Sequence, residues 1–277
     1  MNNKCITIEE LELPKDYFIR EVNGHSIYFR PYTHDFDLSL NTKIYHYMKL
    51  STLLDMLFYK IMHVSNREKF TDLREKKGLN KIVEELSSFS PVPSYNDMIR
   101  LRKAEKDKSR ALSVCVSCWT LDRRCNDKID ESFLMWKAYS EDNIVCRIGT
   151  TIGQLINSIK TTPSDIIISN VDYKGKIEMN KYEDLIFRKS IFYEDEQEVR
   201  MVVLSNSKDG VDIKVDNKTL LNEILISPFI PPVFAYFILS ELKVWCKKYN
   251  SIQIGYSKVM EYIETNKNFK RTNESYL

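Results

Sequence analysis

Glu196-Gln197-Glu198-Val199-Arg200 places two carboxylates and a guanidinium at two-residue spacing, running into the apolar stretch Met201-Val202-Val203. If this stretch is a strand, alternate side chains fall on one face. Glu196, Glu198 and Arg200 then stack together, while burial of Val199, Met201 and Val203 on the opposite face fixes them. Carboxylates held this close perturb one another's pKa, which is one signature of a site. A salt-bridge ladder on an edge strand has the same sequence, and both readings stand at this point.

Tyr45-His46-Tyr47, at the end of an expected strand and directly before a helix, is the second arrangement with chemical content. His46 reads either as a core histidine with its hydrogen bonds satisfied or as a polar group at the strand end. His63 on the next strand reads as structural, and neither His25 in a turn nor His34 in a polar loop has a partner in the sequence. Cys115-Val-Ser-Cys118 has the spacing of a zinc or redox pair, but zinc needs a second ligand pair and none lies near. Strand alternation puts Cys115 and Cys118 on opposite faces, so both are read as core cysteines and no metal is expected. Cys125 lies beside Arg123 and Arg124, whose charge would lower a thiol pKa, but it has no matched base. There is no GxGxxG, GxxxxGK[ST], GxSxG or HExxH, which removes the usual phosphate cradles, the nucleophile elbow and the zincin helix.

The elements that must position these groups follow from hydrophobic spacing. YFIREV, Asn23-Gly24 and SIYFR form a hairpin signature. A strand over 43–48 precedes a helix carrying Leu50, Leu53, Leu54, Leu57, Phe58 and Ile61 at spacings of three and four, and IMHVSN (61–66) is a second strand. Between 67 and 110 charges crowd in around a helix with Leu79, Ile82, Val83, Leu86 and Phe89 on one face. Strands are expected over 112–119, 144–149 and 166–173, with helices over 132–139 and 151–160, then VRMVVL and EILISP as further strands. A helix over 233–249 is rich in Phe, Ile, Leu and Trp and reads as too apolar to be exposed. The plan is α+β: mixed, mainly antiparallel sheets with flanking helices. The expected organisation is an N-terminal hairpin appendage over 1–40, a single α+β domain over 41–265 and a frayed tail over 266–277.

The 277 residues carry 41 Lys+Arg against 39 Asp+Glu, for a formal charge of +2, so no global field announces a nucleic-acid or anionic-membrane partner. The run 100–110 holds six bases and two acids; it reads as a solvated face or as a nucleic-acid contact, without the interleaved aromatics of a known binding motif. No apolar run reaches the roughly 18 residues of a membrane span. The N-terminal stretch carries acids where a signal peptide would be apolar, so a cytoplasmic protein without a membrane partner is expected.

Several of these segments occur together in a recognisable order. Ile44-Tyr45-His46-Tyr47-Met48, Val64-Ser65-Asn66 with Phe70-Thr71-Asp72, Met135-Trp136-Lys137-Ala138-Tyr139 and Glu196-Gln197-Glu198-Val199-Arg200 resemble the (L/I)YHYT, LSN…FND, MWxxY and ExExR motifs of a family of bacterial and phage proteins known as a domain of unknown function. Smaller echoes are Cys118-Trp119-Thr120, Val171-Asp172-Tyr173 and Ile226-Ser227-Pro228. The resemblance spans about 43–228. It departs from the pattern at Met48, where the family has Thr, and at Thr71-Asp72-Leu73, where it has Asn-Asp-Pro.

That family is in turn similar to the ADP-ribosyltransferases, and the similarity implies an ADP-ribosyltransferase-like core that uses NAD as co-substrate. By motif, His46, Tyr47, Ser65 and Arg200 would contact NAD, and Glu198 would be the late-strand carboxylate that stabilises an oxocarbenium-like ribosyl centre. Glu196 would accept a proton from the attacking group, with Arg200 orienting a carboxylate or holding a phosphate. Asp72 would contact the substrate or cap a helix, and Trp136 and Tyr139, at i and i+3, would be core anchors or a stacking surface for nicotinamide. The implied activity is ADP-ribosyl transfer to a protein, a nucleic acid or a small molecule, in conflict between phage and bacteria. Two alternatives are hydrolysis of NAD in the same pocket and a non-catalytic nucleotide or nucleic-acid binding module.

Overall fold

A computed structural model describes residues 6–11, 13, 15–33, 36–69, 96, 98–99, 102–103, 106, 109–110, 113–121, 131–140, 144–173, 186–249 and 252–259. Asp72, the expected helix around Leu79 to Phe89 and the tail over 266–277 lie outside the described residues. In chain order the first elements are α1 (Ile8–Leu11), β1 (Phe18–Val22), β2 (His25–Arg30), β3 (Tyr32–Thr33), β4 (Phe36–Asp37), β5 (Lys43–Lys49), α2 (Leu50–Tyr59) and β6 (Ile61–Asn66). After them come β7 (Cys115–Thr120), α3 (Phe133–Tyr139), β8 (Val145–Thr151), α4 (Ile152–Ser158), β9 (Ile159–Thr161) and β10 (Ile166–Asn170). The last are β11 (Glu198–Val203), β12 (Val211–Val215), α5 (Asn217–Leu220), β13 (Glu223–Ile226), α6 (Pro232–Cys246) and β14 (Gln253–Tyr256). The fold is mixed α+β with mainly antiparallel pairing; among the described strand registers only β2 with β10 and β13 with β14 run parallel.

The chain divides into two compact units. The first draws on Met1–Ser39, Ile61–Trp119 and Ile159–Val215. Its strands are hydrogen-bonded in the order β1-β2-β10-β11-β7-β6-β12-β9. The hairpin β1–β2 turns on Asn23 and Gly24, both at positive φ, the two-residue turn whose twist matches the strands it joins. β2 then pairs in parallel with β10, Ile27 opposite Ile166, so the hairpin expected as an appendage supplies strands to this unit's sheet. Ile6, Leu11, Val114, Val116, Ile167, Ile186, Phe187, Val202 and Leu204 pack into one core cluster. β11 is buried along its whole length, on both faces, where the sequence pattern implied one buried face.

The second unit draws on Leu40–Lys60, Thr120–Ser158 and Asp216–Leu277. Its strands run β5-β8-β13-β14. β5 and β8 are antiparallel over their full length, with His46 opposite Ile148. Helix α2 starts where β5 ends and stops at Lys60, whose left-handed backbone (φ 57) donates its N–H to Met56 O. The expected helix over 151–160 is shorter: α4 ends at Ser158, and β9 begins at the next residue, where two β-branched residues in three favour extended backbone. The expectation that the helix near 233–249 is hidden is corrected by α6. Only Ala235, Leu242 and Cys246 are buried, a narrow stripe at spacings of seven and four, while Val233, Phe234, Tyr236 and Phe237 face outward.

Candidate active site

β11 carries Glu198 and Arg200 but not Glu196, which simple alternation places on the same strand face. The residues before it form a 3-10 helix, Ile191–Glu196, closed by Gln197 in the left-handed region (φ 44). The strand starts at Glu198, so Glu196 ends the preceding helix and is not stacked on the strand face. What brings the two carboxylates to one place is Lys189. Its Nζ donates to Glu196 Oε2 at 2.7 Å and to Glu198 Oε2 at 3.3 Å.

Arg200, two residues along the strand, folds its guanidinium back over Glu198. Nε donates to Oε1 at 2.6 Å and Nη2 to Oε2 at 3.3 Å, while Nη1 donates to Ile186 O at 2.5 Å. Glu198 and Arg200 are 3% and 0% exposed, so this two-point contact is a buried ion pair. Tyr173 closes another side, its hydroxyl oxygen accepting the Glu198 backbone N–H at 2.9 Å. The Cys118 thiol, on β7 beside β11, hydrogen-bonds the Glu198 carboxylate. Lys189 Nζ also sits 4.4 Å over the Tyr193 ring.

The electrostatics separate the two acids. For Glu198, burial would raise the pKa, but the Arg200 and Lys189 charges outweigh it, joined by hydrogen bonds from Arg200 and Cys118, and hold the group at about 2. For Glu196, burial pushes the pKa above its usual value, the charge of Glu198 adds to this, and the Lys189 ammonium only partly offsets both. Lys189 is raised: burial works against its charge, but Glu198 and Glu196 more than compensate. The Tyr173 hydroxyl is pushed up by burial and by the Glu198 charge, so it keeps its proton. The result is one carboxylate held ionised in the interior and a second, with its side chain 31% exposed, that is easier to protonate.

Ser65 is half-buried on β6, opposite Val116 of β7, in the same unit as Glu198. His46 is half-buried on β5 in the second unit. Tyr47, 2% exposed, accepts the Ser132 backbone N–H on its hydroxyl at 3.3 Å. Its ring meets Trp136 edge-on at 4.9 Å and stacks with Tyr139 at 6.1 Å. Trp136 is wholly buried and donates its Nε1–H to Glu131 Oε2 at 3.0 Å. Tyr47 and Trp136 therefore belong to the second unit's core, together with Val145 and Val259. Arg110, the last residue of the basic run, is buried and paired with Glu10 at 2.6 Å, whereas Arg102 and Lys103 are exposed.

Lys189 is the residue that sequence reading missed. Its signal is weak: a lone lysine seven and nine residues ahead of the two acids. Tyr173 stood only as a minor echo of the family motifs and Cys118 as a core cysteine as well as an echo, and the fold brings both to Glu198.

No protein-family model matches the chain and no curated protein matches it, so the family resemblance rests on the quoted motifs. Among solved structures, DarT of Thermus sp. 2.9, in complex with ADP-ribosylated ssDNA, is similar over 79% of this chain and 95% of that chain, at 11% identity and a TM-score of 0.36. No described helix is long and apolar enough to cross a membrane, and no described group of His, Cys, Asp and Glu could hold a metal ion.

Proposed function

We propose that the chain is an NAD-consuming enzyme of the ADP-ribosyl-transfer type, with Glu198 as the carboxylate that stabilises the ribosyl centre and Glu196 as the proton acceptor. The observation that carries this reading is the split between the two acids: Glu198 is held ionised at about 2 inside the fold, and Glu196, bridged to it by Lys189, is shifted the other way. Pairs of acids whose environments drive their pKa values apart mark a division of labour between charge stabiliser and proton carrier.

Cleavage of a nicotinamide–ribose bond develops positive charge at the ribosyl carbon. A fixed negative charge in a poorly solvated setting stabilises that state more than it does the neutral sugar. Arg200 is wholly buried and fully engaged with Glu198 and Ile186 O, which supports its role in orienting the carboxylate over phosphate binding. Glu196, nearer the surface, would take the proton of an attacking hydroxyl, amine or water. The acceptor would be a nucleic acid, a protein, a small molecule or water, in a cytoplasmic setting of phage–bacterium conflict. Nicotinamide release from NAD by the full chain, abolished in Glu198→Gln with the fold intact, tests this reading. Equal release by both proteins, or release by neither, would contradict it.

A further inference from the structure

Helix α6 is apolar nearly all round, yet it buries only one stripe against its own unit. A helix of that composition in a water-soluble setting has its other faces covered. Its outward side continues onto the end of α2. The Phe58 and Trp245 rings lie 6.3 Å apart, Phe58 meets Tyr59 at 5.4 Å, and Tyr236 meets Phe237 at 6.1 Å. Between the helices runs a groove of about 320 Å³, lined by Leu50, Leu54, Phe234, Phe237, Ile238 and Trp245, with Leu242 and, at its edge, Glu241.

The size of this face identifies its occupant. Phe58, Tyr59, Phe234, Tyr236, Phe237 and Trp245 stand 42% to 71% exposed. At roughly 200 Å² per aromatic residue they offer about 750 Å² of ring surface. That exceeds the roughly 300–600 Å² of the largest apolar patch on an ordinary monomer and comes close to the about 800 Å² that each partner gives to a stable interface. The rim carries both signs: Asp55 and Glu241 are exposed together with Lys243 and Lys248. An anionic bilayer selects a basic rim and would be repelled by the two acids. A rim of both signs suits a two-fold related copy, because an isologous interface that sets an acid against a lysine makes that contact twice.

We propose that the aromatic face of α6, with Phe58 and Tyr59 of α2, is the interface of a two-fold symmetric homodimer of this chain. The helix has 15 residues, short of the roughly 20 that a membrane span requires. Its aromatic centre, with charges toward the rim, has the composition of an interface core.

Sedimentation velocity of the full chain over a wide concentration range tests this directly, alongside Phe237→Glu and Tyr236→Glu. The unmodified chain is expected to sediment at twice its 32.7 kDa mass. Each variant should keep its circular-dichroism spectrum and weaken association by at least about tenfold, or about 1.4 kcal/mol. A wild-type chain that is monomeric throughout overturns the proposal, whether or not the variants fold. So does a dimer that persists in both folded variants, or a monomer that co-sediments with phosphatidylcholine–phosphatidylserine vesicles.

Discussion

Arg200 Nε stands 2.6 Å from Glu198 Oε1, two residues along the same strand, with both side chains almost wholly buried. The guanidinium contacts both carboxylate oxygens and anchors its remaining nitrogen on Ile186 O, and Lys189 brings a second cation to Oε2. Removing one partner leaves an uncompensated charge in the interior. Arg200→Ala is therefore expected to destabilise the protein by about 3 kcal/mol. Glu198→Gln keeps the shape but leaves the wholly buried Arg200 guanidinium without its counter-charge, whereas Arg200→Ala leaves Glu198 its contact with Lys189, so Glu198→Gln should cost more. Urea unfolding of the two variants checks the order; equal losses would contradict it.

The shifts of the two acids give stability a defined dependence on pH. Glu198 is depressed from an ordinary value of 4.5 to about 2, so its contribution is present above pH 4.5 and is lost as pH falls from there toward 2. Glu196 works in the opposite sense. Its raised pKa means that the folded state holds that proton more tightly, so it favours folding at low pH and disfavours it as pH rises. Denaturation midpoints between pH 5 and 2 should fall in the wild type and fall less steeply in Glu198→Gln. An unchanged slope would show that Glu198 is not depressed.

If Glu196 accepts a proton, activity requires its ionised form. The acid limb of kcat/KM should then lie above 4.5, since burial and the Glu198 charge raise Glu196. Lys189→Met removes the ammonium that holds Glu196 down, and the limb should move to higher pH with a loss of rate. A limb that stays in place in Lys189→Met contradicts the assignment of Glu196 as the base.

Glu131, buried in the second unit, collects three donors: Trp136 Nε1 at 3.0 Å, Lys258 N at 3.2 Å and the Ser257 hydroxyl in a short contact. Replacing it with Leu strands all three in the interior, and hydrogen bonds to a charged acceptor are worth about 1.5–3 kcal/mol each. Glu131→Leu should lower the melting temperature well below that of Glu131→Gln. Equal melting temperatures would mean that water satisfies those donors.

Much of the architecture was legible. The hairpin at Asn23-Gly24, the strand–helix–strand run from Lys43 to Asn66 and the ExExR strand follow from turn chemistry and from periods of two and 3.6. β12 and β14 were not read, although β12 alternates buried and exposed residues in VDIKV; five residues beside charged turns are a short signal. The site was half legible. Glu198 and Arg200 share a strand face as alternation requires, but Glu196 reaches the cluster through a 3-10 helix that ends on a left-handed Gln197, which period-two reasoning does not represent. Lys189 and Tyr173 meet Glu198 by tertiary folding, and spacing in the sequence carries little of that information.

The central claim is that Glu198 is the charge that makes NAD cleavage possible. NAD labelled in its adenine portion, incubated with the full chain and cell lysate, should release nicotinamide and place label in a protein, nucleic-acid or free ADP-ribose fraction. Folded Glu198→Gln should do neither. Consumption of NAD at the same rate by the variant, or by neither protein at any pH between 5 and 8, would contradict the account.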